Sequence, residues 1–292
     1  TSPVPGSGTG TSACLSTLAS PKAVAWIARI VISRHRSCVA GYAVRRVRCR
    51  KDGQWEEAGV RGVRTAVTFL TTLPIPALAE VRPDDLRRSV PHFPFVGMLV
   101  GGVVAAVLWA PVTIPAGVRA AVALLIWQLV TGMLHLDGLL DSSDALLAPV
   151  SVDRRLEILR DVRVGAFGIG IGVTTLLLLW SVLASGPPWW SPIVAAAVAR
   201  FAAAGPLSVF PAARPSGMGA AARGGQWWWG AAYVAPLLVL PRAWIALLAA
   251  LGIAWLGAWW AARRLGGGLT GDVIGALVLI GEVAALGVYV VG

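Results

Sequence analysis

Cysteine is scarce, and its placement is informative. All three cysteines (Cys14, Cys38, Cys49) lie near the start of the chain. Their spacing fits no metal-binding pattern, and an odd number builds no complete disulfide framework. Residues 80–292 contain no cysteine, which excludes thiol chemistry there, and no lysine. Charge is also sparse: 13% of residues are charged against 57% hydrophobic, with a mean hydropathy of +0.73. That excludes a soluble domain with an ordinary core and predicts an all-α, polytopic membrane helical bundle. No internal repeat of fixed period is visible. The net charge of +11 belongs mostly to one end. Residues 1–79 hold eleven Lys/Arg and three acids, a balance of +8, whereas 80–292 hold fourteen Arg and eleven acids, a balance of +3. The sequence pI of 11.1 therefore gives no argument for a nucleic-acid partner, and none is expected.

Residues 1–60 read as a basic, disordered extension, with an apolar run (Ala23–Ile32) too short to span a bilayer. Residues 61–292 read as the membrane-embedded catalytic part. Residues 62–79 end in two prolines and suggest a half-helix in or dipping into the membrane. Spanning segments are expected at 93–113, 117–136, 165–185, 191–211, 227–241, 243–262 and 272–291, of which the fifth is short and interrupted by Pro236 and Pro241. Six or seven transmembrane helices follow. Arginine-rich loops (80–92, 137–164, 212–226, 263–264) alternate with poor ones, which predicts that the rich side is cytoplasmic. Tryptophans at 189–190, 227–229 and 259–260 fall at expected membrane ends, where indole rings settle.

What stands out against this apolar background is His135–Gly168, with six carboxylates and four arginines. Asp137, Asp141 and Asp144 are spaced four and three apart, so on a helix they share an arc of roughly 60°. Such acids repel one another unless a cation sits among them. An oxygen-only donor set points to a hard ion, Mg²⁺ rather than zinc. Carboxylates at membrane depth are costly and mark function.

Three further groups accompany them. Asp161 is flanked by Arg160 and Arg163 just before the glycine-rich span start Gly165–Gly170. Guanidinium groups there suit phosphate oxygens, although positive-inside charge and small-residue packing also account for the pattern. The loop Gly266–Gly268 runs through Gly271–Asp272 into the last span. A glycine loop entering a helix N-terminus is an anion site, and it is not a Walker P-loop because the GK[ST] ending is missing. Asp272 could equally be a plain N-cap. Arg200, within VAAAVARFAAAGPL, lies mid-span and needs an anionic partner, either an acid or a bound phosphate. Glu282, ten residues beyond Asp272 and near mid-span, reads as a partner supporting the site residues or as simply hydrogen-bonded. Arg214 follows in ARPSGMG. Metal-held carboxylates, arginines and one free carboxylate together suggest Mg²⁺-dependent diphosphate chemistry, the last of these taking a proton from an attacking hydroxyl.

HLDGLLDSSDAL followed by RRLEILRDVRVGAFG resembles the signature of the cobalamin synthase (adenosylcobinamide-GDP ribazoletransferase) family. FLTTLPIP, FPFVGMLVG, ARPSGMG and GGGLTGDVIGA fall in the same order as in that family, so the resemblance covers about 62–292. Leu140, Val162 and Leu269 depart from its usual residues. The resemblance implies a transfer between adenosylcobinamide-GDP and α-ribazole (or its 5′-phosphate), giving adenosylcobalamin (or its phosphate) and GMP. It further implies that Asp137, Asp141, Asp144 and Asp161 hold Mg²⁺ on the diphosphate. Arg160, Arg163 and Arg214 then bind phosphate, with Arg200 and Gly271 as further anion contacts, and Asp272 completes the catalytic set. The enzyme is expected in the cell (inner) membrane, with its site cytoplasmic and in contact with other corrinoid-pathway enzymes. Two alternatives remain at this point. A CDP-alcohol phosphotransferase normally carries DG-x-x-A-R, where this chain has Asp137-Gly138-Leu-Leu-Asp. A cation-coupled transporter would need acids in both halves and an internal repeat.

Overall fold

The computed structural model describes residues 54–75, 82, 84–214 and 217–291, with side chains omitted at 54–58 and Met218. The extension expected over 1–60 lies largely outside the described residues. A helix begins at Gln54 and runs to Leu70 (α1), across the boundary expected at residue 60. It ends before the two prolines, because Pro74 and Pro76 disfavour further helix.

The described residues are helical, and a single isolated bridge, Ala212 to Leu269, is the only β pairing among them. After α1 come α2 (Asp85–Ser89) and α3 (Phe93–Leu108), joined by a 3₁₀ turn into one continuous rod of 24 residues. The charged stretch expected to be a loop thus supplies the first turns of a span. Next are α4 (Ala116–Val130), α5 (Leu134–Leu147), α6 (Val152–Ile158), α7 (Ala166–Ala184) and α8 (Ser191–Val209). The short α9 (Met218–Ala222) and α10 (Ala231–Val234) lead to α11 (Ala243–Arg264) and α12 (Gly271–Gly287).

Helix α8 is the hub, with 83% of its apolar window buried. Its alanines let neighbours approach to backbone contact. Gly97 and Gly101 of α3 meet it so closely that an added Cβ would lie 2.3 Å from the Ala196 and Pro192 carbonyl oxygens. Helix α11 packs through a stripe of buried alanines, Ala243, Ala246, Ala250, Ala254, Ala258 and Ala261, at three- and four-residue spacing. Its opposite face exposes Leu248 and Leu256, as α7 exposes Leu177 and Leu178. Apolar surface of this kind is that of a membrane protein.

Among the described residues, four helices are long and apolar enough to cross a membrane: Asp85–Leu108, Ala166–Ala184, Ser191–Val209 and Ala243–Arg264. The pair α4 and α5, bent by 87°, makes a fifth if counted as one broken span. Six or seven were expected, and the difference has three physical sources. The segment 227–241 is apolar but divides into two 3₁₀ pieces and a four-residue helix, interrupted at Pro236. The segment 117–136 breaks at Gly132 and Met133, both in left-handed conformation (φ 59° and 56°). Helix α12 has 17 residues, short of the about 20 that a full crossing needs.

The glycine seam can be tested directly. Gly101→Ala is expected to cost about 1–3 kcal/mol, because its Cβ must displace the Pro192 backbone. Gly102→Ala, with nothing within 4 Å, is expected to be neutral or stabilising. Thermal unfolding of the two variants in detergent checks the contrast.

Candidate functional site

Helix α5 places Asp137, Asp141 and Asp144 on one face, as their spacing requires. The sharp turn before it allows this face to meet the start of α12. At that crossing Gly138 lies against Asp272: a Cβ on Gly138 would fall 2.6 Å from the Asp272 carbonyl oxygen. Only glycine permits so close an approach. Asp272 is not the cap of its helix. Thr270 is the N-cap, its hydroxyl accepting from the Val273 N–H at 3.5 Å, and Asp272 instead lines a cavity together with Asp137.

The bridge brings Arg214 to the same place. The Ala213 N–H donates to the Leu269 carbonyl at 2.9 Å, and the Leu269 N–H donates to the Pro211 carbonyl at 2.8 Å. Gly268 makes the pairing possible, since a Cβ there would sit 2.6 Å from the Ala213 nitrogen. The loop carrying Arg214 and the loop leading to Asp272 are therefore tied together. Arg214 Nη2 donates to the Leu156 carbonyl at 2.9 Å, whereas its Nε is buried with no hydrogen-bond partner. Asp141 lies in the electrostatic range of Asp137, Asp272 and Asp144, opposed by Arg214. Arg214 in turn lies in range of Asp272, Asp141 and Arg160.

Two of the expected metal ligands have other partners. Asp144 accepts from the Gly165 N–H at 2.6 Å and the Gly168 N–H at 2.8 Å, holding the N-terminus of α7. A Cβ at either position would meet the Asp144 carboxylate, at 2.6 and 2.5 Å, and at Gly168 it would also press on the Leu140 carbonyl at 2.9 Å. Asp161 sits in the loop before α7 and is held by Arg163 through Nη2 at 2.7 Å, Nε at 3.0 Å and its backbone N–H at 3.1 Å. These hydrogen bonds hold the Asp161 carboxyl down to about 2, so it is ionised across the neutral range. Arg163 is largely exposed, and Arg160 is exposed. Arg200 is buried deep in the bundle, where Nη1 donates to Glu282 Oε1 at 2.5 Å and to the Ala196 carbonyl at 2.9 Å. Of the two partners expected for it, the acid is present.

The cavity that Asp137 and Asp272 line has a volume of about 130 Å³ and is partly open. Its walls are apolar, with Phe69, Phe93, Leu207 and Ile274; Gly271 lies on its rim, and Arg200 and His135 contribute polar groups. Residue types alone marked neither His135 nor the two phenylalanines. Thr270, by contrast, is a favoured N-cap residue directly before a helix, a legible signal.

Among the described residues, no three His, Cys, Asp or Glu side chains converge closely enough to hold one metal ion. The donor chemistry still fits a hard cation, since the site offers only carboxylate oxygens. Mg²⁺ is commonly held by one or two carboxylates plus substrate phosphates rather than by an all-protein cage. Asp137 and Asp141, free of any hydrogen-bonded partner among the described residues, match that mode better than Asp144 and Asp161.

Residues 62–290 match the family model for cobalamin-5-phosphate synthase. An adenosylcobinamide-GDP ribazoletransferase of Deinococcus radiodurans is 49% identical over 229 residues, covering 78% of this chain and 85% of its own length. Another of that name, from a Roseiflexus species, is 39% identical over 233 residues, covering 76% of this chain and 86% of its own. A third, from Thiobacillus denitrificans, is 36% identical over 237 residues, covering 78% and 94%. No solved structure matches the chain.

The two hydrogen bonds that Asp144 accepts predict a structural phenotype. Asp144→Ala leaves the Gly165 and Gly168 N–H groups without an acceptor and is expected to cost about 1–3 kcal/mol of stability. A fall in the unfolding midpoint in detergent, together with faster amide exchange at 165–168, checks it.

Proposed function

The chain belongs to the cobalamin-5-phosphate synthase family, and from that premise we propose that it is an adenosylcobinamide-GDP ribazoletransferase. It joins adenosylcobinamide-GDP to α-ribazole, or to α-ribazole 5′-phosphate, and releases GMP. The observation that carries this reading is the span of the family match, 62–290, which takes in each acid and arginine of the site. The CDP-alcohol and transporter readings have no comparable support.

In the proposed reaction a ribose hydroxyl of ribazole attacks the cobinamide-side phosphorus of the diphosphate. A new P–O bond forms to that hydroxyl oxygen, and the bond to the bridging oxygen breaks. The electron pair leaves with GMP, and the hydroxyl proton passes to a carboxylate. Asp272, lining the cavity at the N-terminus of α12, is suited to accept it. Arg214 faces the acids with an unpaired Nε and is suited to neutralise charge on the leaving phosphate, with Arg160 in range beside it. Arg163 is already paired with Asp161, so it orders the loop before α7 more than it reaches substrate.

Asp137 and Asp141 would hold Mg²⁺ at this site. When bound, the ion supplies Lewis-acid neutralisation of the phosphate oxygens. Asp144 keeps the face of α5 in register with α7. We further propose that the site opens toward the cytoplasmic side of the cell membrane. The alternation of arginine-rich loops supports that orientation, and the exposed leucines of α7 and α11 support a lipid surround.

Two variants test the assignment. Asp141→Ala is expected to lower turnover at least about a hundredfold in protein that still inserts and remains monodisperse. Gly138→Ala is expected to lower it roughly tenfold to a hundredfold by displacing the start of α12. Both are read as GMP and cobalamin formed from adenosylcobinamide-GDP and α-ribazole, with and without Mg²⁺. Near-normal turnover in Asp141→Ala would remove this carboxylate from the chemistry.

A further inference from the structure

Arg200 presents an unusual combination. It is 1% exposed, lies mid-helix in the alanine wall of α8, and lines the cavity described above. Its Nη1 is used by Glu282 and the Ala196 carbonyl, but Nε and Nη2 are buried and have no hydrogen-bond partner. Unpaired donors on a buried charged group are costly, and a native fold retains them where something else accepts them. His135, also buried, lies on the same cavity wall. The cavity therefore has an apolar body and an unsatisfied polar end.

The charge balance narrows the occupant. Glu282 neutralises Arg200, so an anion at this depth would be an uncompensated charge among Phe69, Phe93, Leu207 and Ile274. The diphosphate has better partners at Arg214 and Arg160. A neutral group with an acceptor is required, flat and apolar elsewhere. Guanine does not fit, because it brings more polar groups than Arg200 and His135 can satisfy. A corrin ring is too large and too rich in amides.

Resting on the transferase reading above, we propose that this cavity binds the aromatic base of ribazole, with Arg200 donating to the ring nitrogen that carries no sugar. That base is a fused apolar ring system with one free, acceptor-only nitrogen. Inserted base-first, it leaves its ribose beside Asp137 and Asp272, the two carboxylates on the same cavity. The Arg200–Glu282 pair is thus a specificity element for the nucleoside as well as a structural tie.

The test measures binding, without turnover, on the full chain in detergent micelles. Calorimetric titration compares α-ribazole with its analogue in which the free ring nitrogen is replaced by CH. Wild-type protein is expected to bind the analogue about tenfold more weakly or worse. Arg200→Met/Glu282→Leu, which removes both charges together and leaves neither unpaired, is expected to bind the two nucleosides equally. Ala204→Leu, which narrows the cavity without removing either charge, is expected to weaken both nucleosides at least about tenfold while adenosylcobinamide-GDP binds within twofold of wild type. Equal binding of the two nucleosides by wild type overturns the proposal. So does discrimination that survives in the double variant, or ribazole binding that is unaffected by Ala204→Leu. A separate failure to release GMP would overturn the transferase reading while leaving these binding outcomes decisive for the cavity.

Discussion

The contact of Gly138 with the backbone of Asp272 is the constraint on which the site depends. Two chain segments separated by more than a hundred residues meet there without an intervening side chain. Because α5 runs across the start of α12 at that distance, Asp137 and Asp272 open onto one cavity. The bridge between 211–213 and Leu269 then brings Arg214 to the same carboxylates. Each of these approaches is bounded by a glycine, Gly138 in one case and Gly268 in the other. The glycines of this region therefore serve backbone proximity, and the polar groups are positioned as a consequence.

The bundle interior is built from alanine and glycine, so its helices lie close and its few polar groups have little room to move. Within that frame the Arg200–Glu282 pair is the sole buried ion pair among the described residues with both partners at 1% exposure. Removing one partner of such a pair leaves the other charge stranded, whereas removing both does not. The pair joins α8 to α12, two of the helices that wall the cavity. Stability of the bundle and shape of the cavity thus share one element.

Much of the site was legible because helical periodicity is a local property. The spacing of Asp137, Asp141 and Asp144 predicted a shared face, and α5 has it. The motif order around GGGLTGD and ARPSGMG marked the loops that the bridge joins. What stayed hidden depends on tertiary packing. Nothing in the spacing of Asp144 says that its carboxylate caps α7 through Gly165 and Gly168. Nothing near Asp161 distinguishes a metal ligand from the partner of Arg163. The span count differs for another reason, since apolarity does not report continuity. Residues 227–241 are apolar but fragmented, and the turn at Gly132–Met133 carries no proline to announce it. Arg200 was recognisable as needing an anion, but which anion required the fold.

The most direct measurement is a cryo-electron-microscopy structure of the full chain in a lipid nanodisc with adenosylcobinamide-GDP and Mg²⁺. The account predicts diphosphate density bounded by Asp137, Asp141 and Arg214, with the guanosine outside the apolar cavity. Density for the diphosphate beside Arg154, Arg155 and Arg163, away from the α5–α12 crossing, would contradict it.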